Sequence, residues 1–189
     1  MSAKISSDRF RNRYRVPSAR AEWHDYNCGR YFITICTRNR VPYFGWISNK
    51  QMHFTEIGKY AHECVPKITE LHPDVFVPSW QVMPDHVHLL VVVHKSAGTP
   101  YRVSQNHYAS NHGIGDKPKS HMEAAMHCGR LSHIIGQYKT AVSRYARKRG
   151  IPLAWQERFY DCIVHDETSY AKIRAYIENN VRAWDGSKK

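Results

Sequence analysis

Two histidines separated by a single residue, His86 and His88, stand in the stretch Met83-Pro84-Asp85-His86-Val87-His88-Leu89-Leu90, which runs on into Val91-Val92-Val93. On a β-strand, residues two apart point to the same face, so both imidazoles meet on one side while Val87 points to the other. Such a pair offers a divalent ion two nitrogens and leaves positions open, as an ion needs if it is to act as a Lewis acid on a substrate oxygen. Two histidines can equally line a half-buried strand as hydrogen-bonded rings, so the rest of the chain has to decide.

If the substrate is a phosphodiester, the chemistry also needs a nucleophile in line with the leaving oxygen. Among twelve tyrosines, Tyr176 is set apart by Asn180. Four residues apart on a helix, the two share a face, so one rigid element would present a phenol and an amide oxygen together, as nucleophile and third ligand. A phenol has an ordinary pKa of about 10 and needs a nearby cation to act at neutral pH, which a metal would supply. At this point Tyr176 also reads as an ordinary amphipathic tyrosine at the core margin. A histidine-triad nucleotide hydrolase is set aside, because the position its third histidine requires is Leu90.

The elements that must position these groups can be sketched from pattern. Tyr31-Phe32-Ile33-Thr34-Ile35-Cys36-Thr37 is rich in aromatic and β-branched residues and reads as a core strand. A short strand is expected at Met52 to Phe54. Thr55 then caps a helix from Glu56 to Leu71 with the stripe Ile57, Ala61, Val65, Ile68 and Leu71. Strands over 75–82 and 86–93 flank the tight Pro84-Asp85 connection and form an antiparallel hairpin. A helix begins at Leu131 with Ile134, Ile135, Tyr138, Val142 and Tyr145 on one face, and Gly150-Ile151-Pro152 ends it. A turn and short edge strand follow over 155–164. The last helix starts in the capping cluster Asp166-Glu167-Thr168-Ser169, with Tyr170, Ile173, Ile177, Val181 and Trp184 as its expected buried stripe.

At 189 residues the chain suits one domain with decorations. Its 28 Lys and Arg against 16 Asp and Glu give a formal charge of +12, which points to a polyanionic partner, nucleic acid first. No apolar run approaches the roughly 20 residues of a spanning helix, so a membrane is not expected as partner and the reading is soluble and intracellular. Five cysteines without a C-x-x-C pair read as thiols in a reducing compartment. Six of the thirteen histidines fall between His94 and His133, in spacings that fit no zinc pattern. Residues 1–24 form a basic arm, with Arg11, Arg13 and Arg15 placed to lie along a phosphate backbone. The helix after 130 carries Lys139, Arg144, Arg147, Lys148 and Arg149 with no acid between 139 and 149, a second phosphate-contacting surface. Residues 95–130, rich in Ser, Gly, His, Asn and Lys, form a long loop within the domain. Trp80 and Trp155 are candidates for stacking on unpaired bases or for the core.

Taken in order, Tyr31 to Thr37 with Arg38-Asn39-Arg40, Met83 to His88, Trp155-Gln156 with Phe159-Tyr160-Asp161, and Tyr176-Ile177-x-x-Asn180 resemble the REP-associated tyrosine transposases. These belong to the single-tyrosine HUH (IS200-like) transposases of bacteria, and the resemblance covers roughly residues 25 to 184. It implies an α/β (α+β) fold, a ferredoxin-like antiparallel sheet with helices packed on one face, plus a C-terminal helix bearing the nucleophile. Residues 25–189 would form a single catalytic domain. It also implies a metal-dependent single-stranded DNA endonuclease and strand transferase using Mg2+ or Mn2+, with His86, His88 and Asn180 at the metal. Tyr176 would become linked to a 5′ phosphate. The partner would be single-stranded DNA with REP-like palindromic hairpins, bound in the bacterial cytoplasm and nucleoid by a monomer or homodimer. A domesticated protein that binds structured DNA or RNA without cutting it is the alternative. Two departures stand out: family members usually have Asn where this chain has Asp85, and many have Pro where it has Val181.

Overall fold

A computed structural model describes residues 26–94 and 130–184. The basic arm with Arg11, Arg13 and Arg15, and the long loop except for its last residue, lie outside the described residues.

Four antiparallel strands make the main sheet: β1 (Gly29–Cys36), β4 (Val75–Met83), β5 (His86–Val93) and β6 (Tyr160–Ile163), in the order β4-β5-β1-β6. The short strands β2 (Gly45–Ser48) and β3 (Gln51–Phe54) form a separate hairpin. Helices α1 (Glu56–Glu63) and α2 (Pro66–Leu71) connect that hairpin to β4, α3 (Arg130–Lys148) precedes β6, and α4 (Glu167–Asn179) closes the described chain. The order is the expected ferredoxin-like one.

Period-two alternation sorts the sheet's side chains into two populations. Tyr31, Ile33 and Ile35 of β1, with Val87, Leu89, Val91 and Val93 of β5, bury into the main core under α1, α2 and α3. Their sequence neighbours Phe32 and Leu90 face the other way, into a smaller cluster with Val164 and Ile177 under α4. So β5 is buried on both faces, which explains its nearly continuous apolar run. Edge strand β4 has a register irregularity between Phe76 and Ser79. It spans Pro78, which has no N–H for a ladder bond and is tolerated at an edge.

Several expectations need correction. The helix expected from Glu56 to Leu71 is two helices, because Pro66 has no N–H to continue the ladder and instead opens α2 at its first turn. Leu71 is exposed rather than part of the stripe. Strand β2 had no sequence signal beyond Trp46-Ile47, and it exists because Gly45 to Ser48 pair with Gln51 to Phe54. In α4 only Ile177 of the expected stripe is fully buried, while Val181 and Trp184 lie in a further turn past the helix end and are half-buried.

Gly58 shows how closely α1 approaches the chain entering β2. A Cβ there would stand 1.8 Å from the Phe44 carbonyl oxygen, which itself accepts from Thr55 N at 3.0 Å. Thr55 caps α1 through its hydroxyl, which takes the Gly58 N–H at 3.1 Å and donates to the Tyr43 carbonyl at 2.7 Å. Helix propensity favours Ala over Gly by about 1 kcal/mol, and here the backbone clash outweighs it. Gly58→Ala is expected to lower the midpoint of chemical denaturation, whereas a rise would show that α1 can slide away from Phe44.

Candidate metal and nucleophile site

The register of β1 against β5 sets Thr34 opposite His88 and Cys36 opposite His86. Both imidazoles are buried on the face that α4 covers. His86 Nδ1 lies 2.6 Å from Asp85 Oδ1, and His88 Nδ1 lies 2.9 Å from Thr34 Oγ1. Their remaining nitrogens converge, with Nε2 to Nε2 at 3.0 Å and the rings at 77°. Burial, with smaller contributions from His86 and Arg40, holds His88 well below the ordinary histidine pKa, so its ring is neutral at neutral pH. Burial pushes the Asp85 carboxyl up, but the hydrogen bond and charge of His86, together with Arg40, outweigh it and hold the group below the usual carboxylate range. Arg40 Nη1 stands 3.7 Å from Asp85 Oδ2, on the oxygen that His86 does not use.

Helix α4 lies over this pair. Asp166 caps its start by accepting from Ser169 N at 2.8 Å. Arg30 of β1 pairs with Glu167 at 2.5 Å, and Ile177 packs on Leu90. That anchoring sets Tyr176 against His88 and Trp184 against His86, with Asn180 between the two at intervals of four residues. The Tyr176 ring meets His88 at 5.5 Å and Phe32 edge-on at 5.9 Å between centroids, and is 47% exposed. The Trp184 ring lies 5.9 Å from His86. Asn180, one turn from each, is 8% exposed, and its Nδ2 has no hydrogen-bond partner among the described residues. Trp184 was expected in the buried stripe and instead covers His86, because the chain turns on past Asn179 with Ala183 N donating to Asn179 O at 3.0 Å.

The donor set fits a hard or borderline divalent ion. Two ligands at right angles on bonds of about 2.1 Å lie about 3.0 Å apart, which matches the Nε2 separation of 3.0 Å. Each imidazole has its outer nitrogen held by an oxygen, the support that metal-ligating histidines require. Among the described residues no three His, Cys, Asp or Glu gather at one point. Asn180, buried on the helix that carries Tyr176, has an amide oxygen of the kind such an ion takes as a ligand.

The other expected binding residues lie on α3. Arg144, Arg147 and Lys148 are exposed, and the first two line a shallow surface pocket with Lys139, Thr140 and Ser143. Lys139 also holds the following segment in place: its ammonium donates to the carbonyls of Gln156 at 2.7 Å and Glu157 at 3.3 Å. Trp155 and Trp80 are partly buried against the main core, and Trp155 Nε1 donates to Ser143 Oγ at 3.0 Å. Sequence reasoning missed Thr34, Arg40 and Trp184 as neighbours of the histidines. Only the i+8 spacing of Trp184 from Tyr176 was readable in advance; the other two depend on strand register and a turn.

No family model matches the chain. An uncharacterized protein of Haemophilus influenzae is 30% identical over 170 residues, covering 89% of each chain. A REP-associated tyrosine transposase solved bound to a REP hairpin superposes with a TM-score of 0.50 at 18% identity, over 88% of this chain and 77% of that one. A Deinococcus radiodurans chain provisionally described as a transposase gives a TM-score of 0.37 at 17% identity, over 85% of this chain and 95% of that one, too distant to bear on the argument. By identity and coverage the chain belongs to one family with the Haemophilus influenzae protein, and its fold is that of a REP-associated tyrosine transposase.

Proposed function

We propose that this protein is a metal-dependent single-stranded DNA endonuclease and strand transferase that works at hairpins through Tyr176. The observation that carries the reading is the meeting, within one chain, of two converging histidine nitrogens with the half-exposed phenol of Tyr176, on a helix that also carries the buried Asn180. The likeness of fold to a transposase bound to a REP hairpin supports hairpin DNA as the substrate class. Among the described residues no helix is long and apolar enough to cross a membrane.

His86, His88 and Asn180 would hold Mg2+ or Mn2+. When bound, the ion supplies Lewis-acid polarisation of a non-bridging phosphate oxygen. Tyr176 brings its phenolic oxygen to phosphorus and gives up its proton to solvent. The new bond joins the tyrosine oxygen to the 5′ phosphate, while the bond from phosphorus to the 3′ oxygen breaks and that oxygen leaves as a protonated hydroxyl. Because the phosphotyrosine ester replaces one phosphodiester with another, a 3′ hydroxyl can later reverse the attack and join strands without ATP. Exposure of Tyr176 on one side gives the strand access, while Phe32 and His88 fix the ring on the other. Arg144, Arg147 and Lys148 on α3, with Arg11, Arg13 and Arg15 of the basic arm, would bind backbone phosphates, and Lys139 shares the α3 pocket.

Incubation with Mn2+ and labelled single strands from the flanks of its own gene is expected to give a denaturant-resistant protein–DNA adduct. Tyr176→Phe should remove the adduct and keep binding, since its ring contacts do not need the hydroxyl. Tight salt-sensitive binding with no adduct from any strand would favour the non-catalytic alternative.

Arg144→Ala with Arg147→Ala should weaken hairpin binding and reduce the slope of log K against log salt by about 1 to 2. An unchanged slope would remove α3 from the DNA interface. Asn180→Leu should raise stability by about 1 kcal/mol, because it removes a buried donor with no partner, and should abolish cleavage. A stability loss on urea unfolding would mean that Asn180 is there for packing.

A further inference from the structure

Asp85 stands where the resembled family usually has asparagine, and the reaction described above gives it no task. Its two carboxylate oxygens are divided: Oδ1 lies 2.6 Å from His86 Nδ1 and Oδ2 lies 3.7 Å from Arg40 Nη1. Arg40 reaches that position from a short helical turn, Arg38–Arg40, in which Asn39 and Arg40 both adopt φ of 55°, a left-handed conformation unusual for residues with a side chain. The turn is tied down on several sides. The one proton of the Thr37 hydroxyl is shared between the carbonyls of Val41 at 2.8 Å and Asp85 at 2.9 Å, Thr37 N donates to Asp85 O at 3.0 Å, and Arg38 N donates to Ala154 O at 2.8 Å. The backbone thus holds Arg40 against a carboxylate that is itself in contact with a proposed metal histidine.

We propose that Asp85, braced by Arg40, is a positioning residue that fixes His86 in the tautomer whose Nε2 lone pair is free for a divalent cation. The inference rests on the metal reading of the previous subsection and assigns its second layer. An ionised carboxylate only accepts hydrogen bonds, so His86 must carry its proton on Nδ1. An asparagine can present either its oxygen or its NH2 to that nitrogen and leaves the tautomer open. Thr34 Oγ1, opposite, can donate or accept. For neutral imidazoles without an ion, the distances allow a network from the Thr34 hydroxyl to His88 Nδ1, from His88 Nε2–H to His86 Nε2, and from His86 Nδ1–H to Asp85. For both Nε2 atoms to face an ion, only His88 has to move its proton, from Nε2 to Nδ1, and Thr34 then accepts it. One histidine is locked and the other adjustable, and the hydrogen-bonding capacity of their partners sets the difference.

The side-chain 15N spectrum of the metal-free protein tests the tautomer, and calorimetric titration with Mn2+ alone tests its use. In the wild type, His86 is expected to show a protonated-type Nδ1 and a lone-pair-type Nε2. Asp85→Asn should move both shifts toward a mixture and weaken Mn2+ binding about tenfold to a hundredfold. Arg40→Gln, on a more exposed side chain, should change both in the same direction by less, and Arg40→Lys should restore them. Unchanged His86 shifts and unchanged Mn2+ affinity in folded Asp85→Asn would overturn the proposal. A wild type that binds no Mn2+ would overturn the metal reading itself, while the metal-free spectrum would still decide whether Asp85 sets the tautomer.

Discussion

Burying two imidazoles side by side obliges a fold to give a partner to every ring nitrogen, because an unpaired polar atom in the interior costs on the order of 1–3 kcal/mol. The pairing of β1 with β5 meets half of that demand by placing Thr34 beside His88, and the two-residue turn before β5 meets the other half by placing Asp85 beside His86. Once those bonds are made, the two Nε2 atoms have, among the described residues, one another as hydrogen-bond partner, 3.0 Å apart. Shifting β5 by one residue would exchange its two populations, putting Val87 and Leu89 under α4 and both histidines into the main core. The apolar contacts of Val87, Leu89, Val91 and Val93 therefore hold the register on which the histidine geometry depends.

The second half of the site depends on a smaller contact. Helix α4 buries Ile177 against Leu90 and Val164 and is tied to β1 through Arg30 and Glu167. These few anchors are enough to orient the row of Tyr176, Asn180 and Trp184, and they leave the helix with far less buried apolar surface than α3. A helix held by a small cluster on one side of a sheet, with the large core on the other, can adjust without disturbing the fold. Asn180, on the same helix, carries a cost: its buried amide donor has no partner among the described residues.

Much of this arrangement was legible in the sequence. The strand bearing His86 and His88, the Pro84-Asp85 turn, the face of α3 and the capped start of α4 were all visible because each rests on local periodicity or turn chemistry. The i, i+4 relation of Tyr176 and Asn180 held for the same reason. What could not be read depends on partners distant in the chain. Thr34 becomes a histidine partner only through sheet register, Arg40 reaches Asp85 only through a left-handed turn, and β2 is a strand only because β3 pairs with it. The split between α1 and α2 was readable from Pro66, but the continuous stripe of Ile57, Ala61, Val65 and Ile68 masked it. The sequence groups Lys139 with the cations expected to contact phosphate but does not show its second role, in which the ammonium reaches two distant backbone carbonyls.

The central claim is that one chain gathers a divalent ion between its histidine pair and the helix that carries Tyr176. A crystal of the protein soaked in Mn2+ and measured at the manganese absorption edge tests it most directly. The account requires an anomalous peak about 2.2 Å from both His86 Nε2 and His88 Nε2, with the Asn180 side chain as a further ligand and Tyr176 of the same chain facing the open side. A clean map with no peak at the pair, or manganese held instead by other histidines such as His72 and His133, would contradict it.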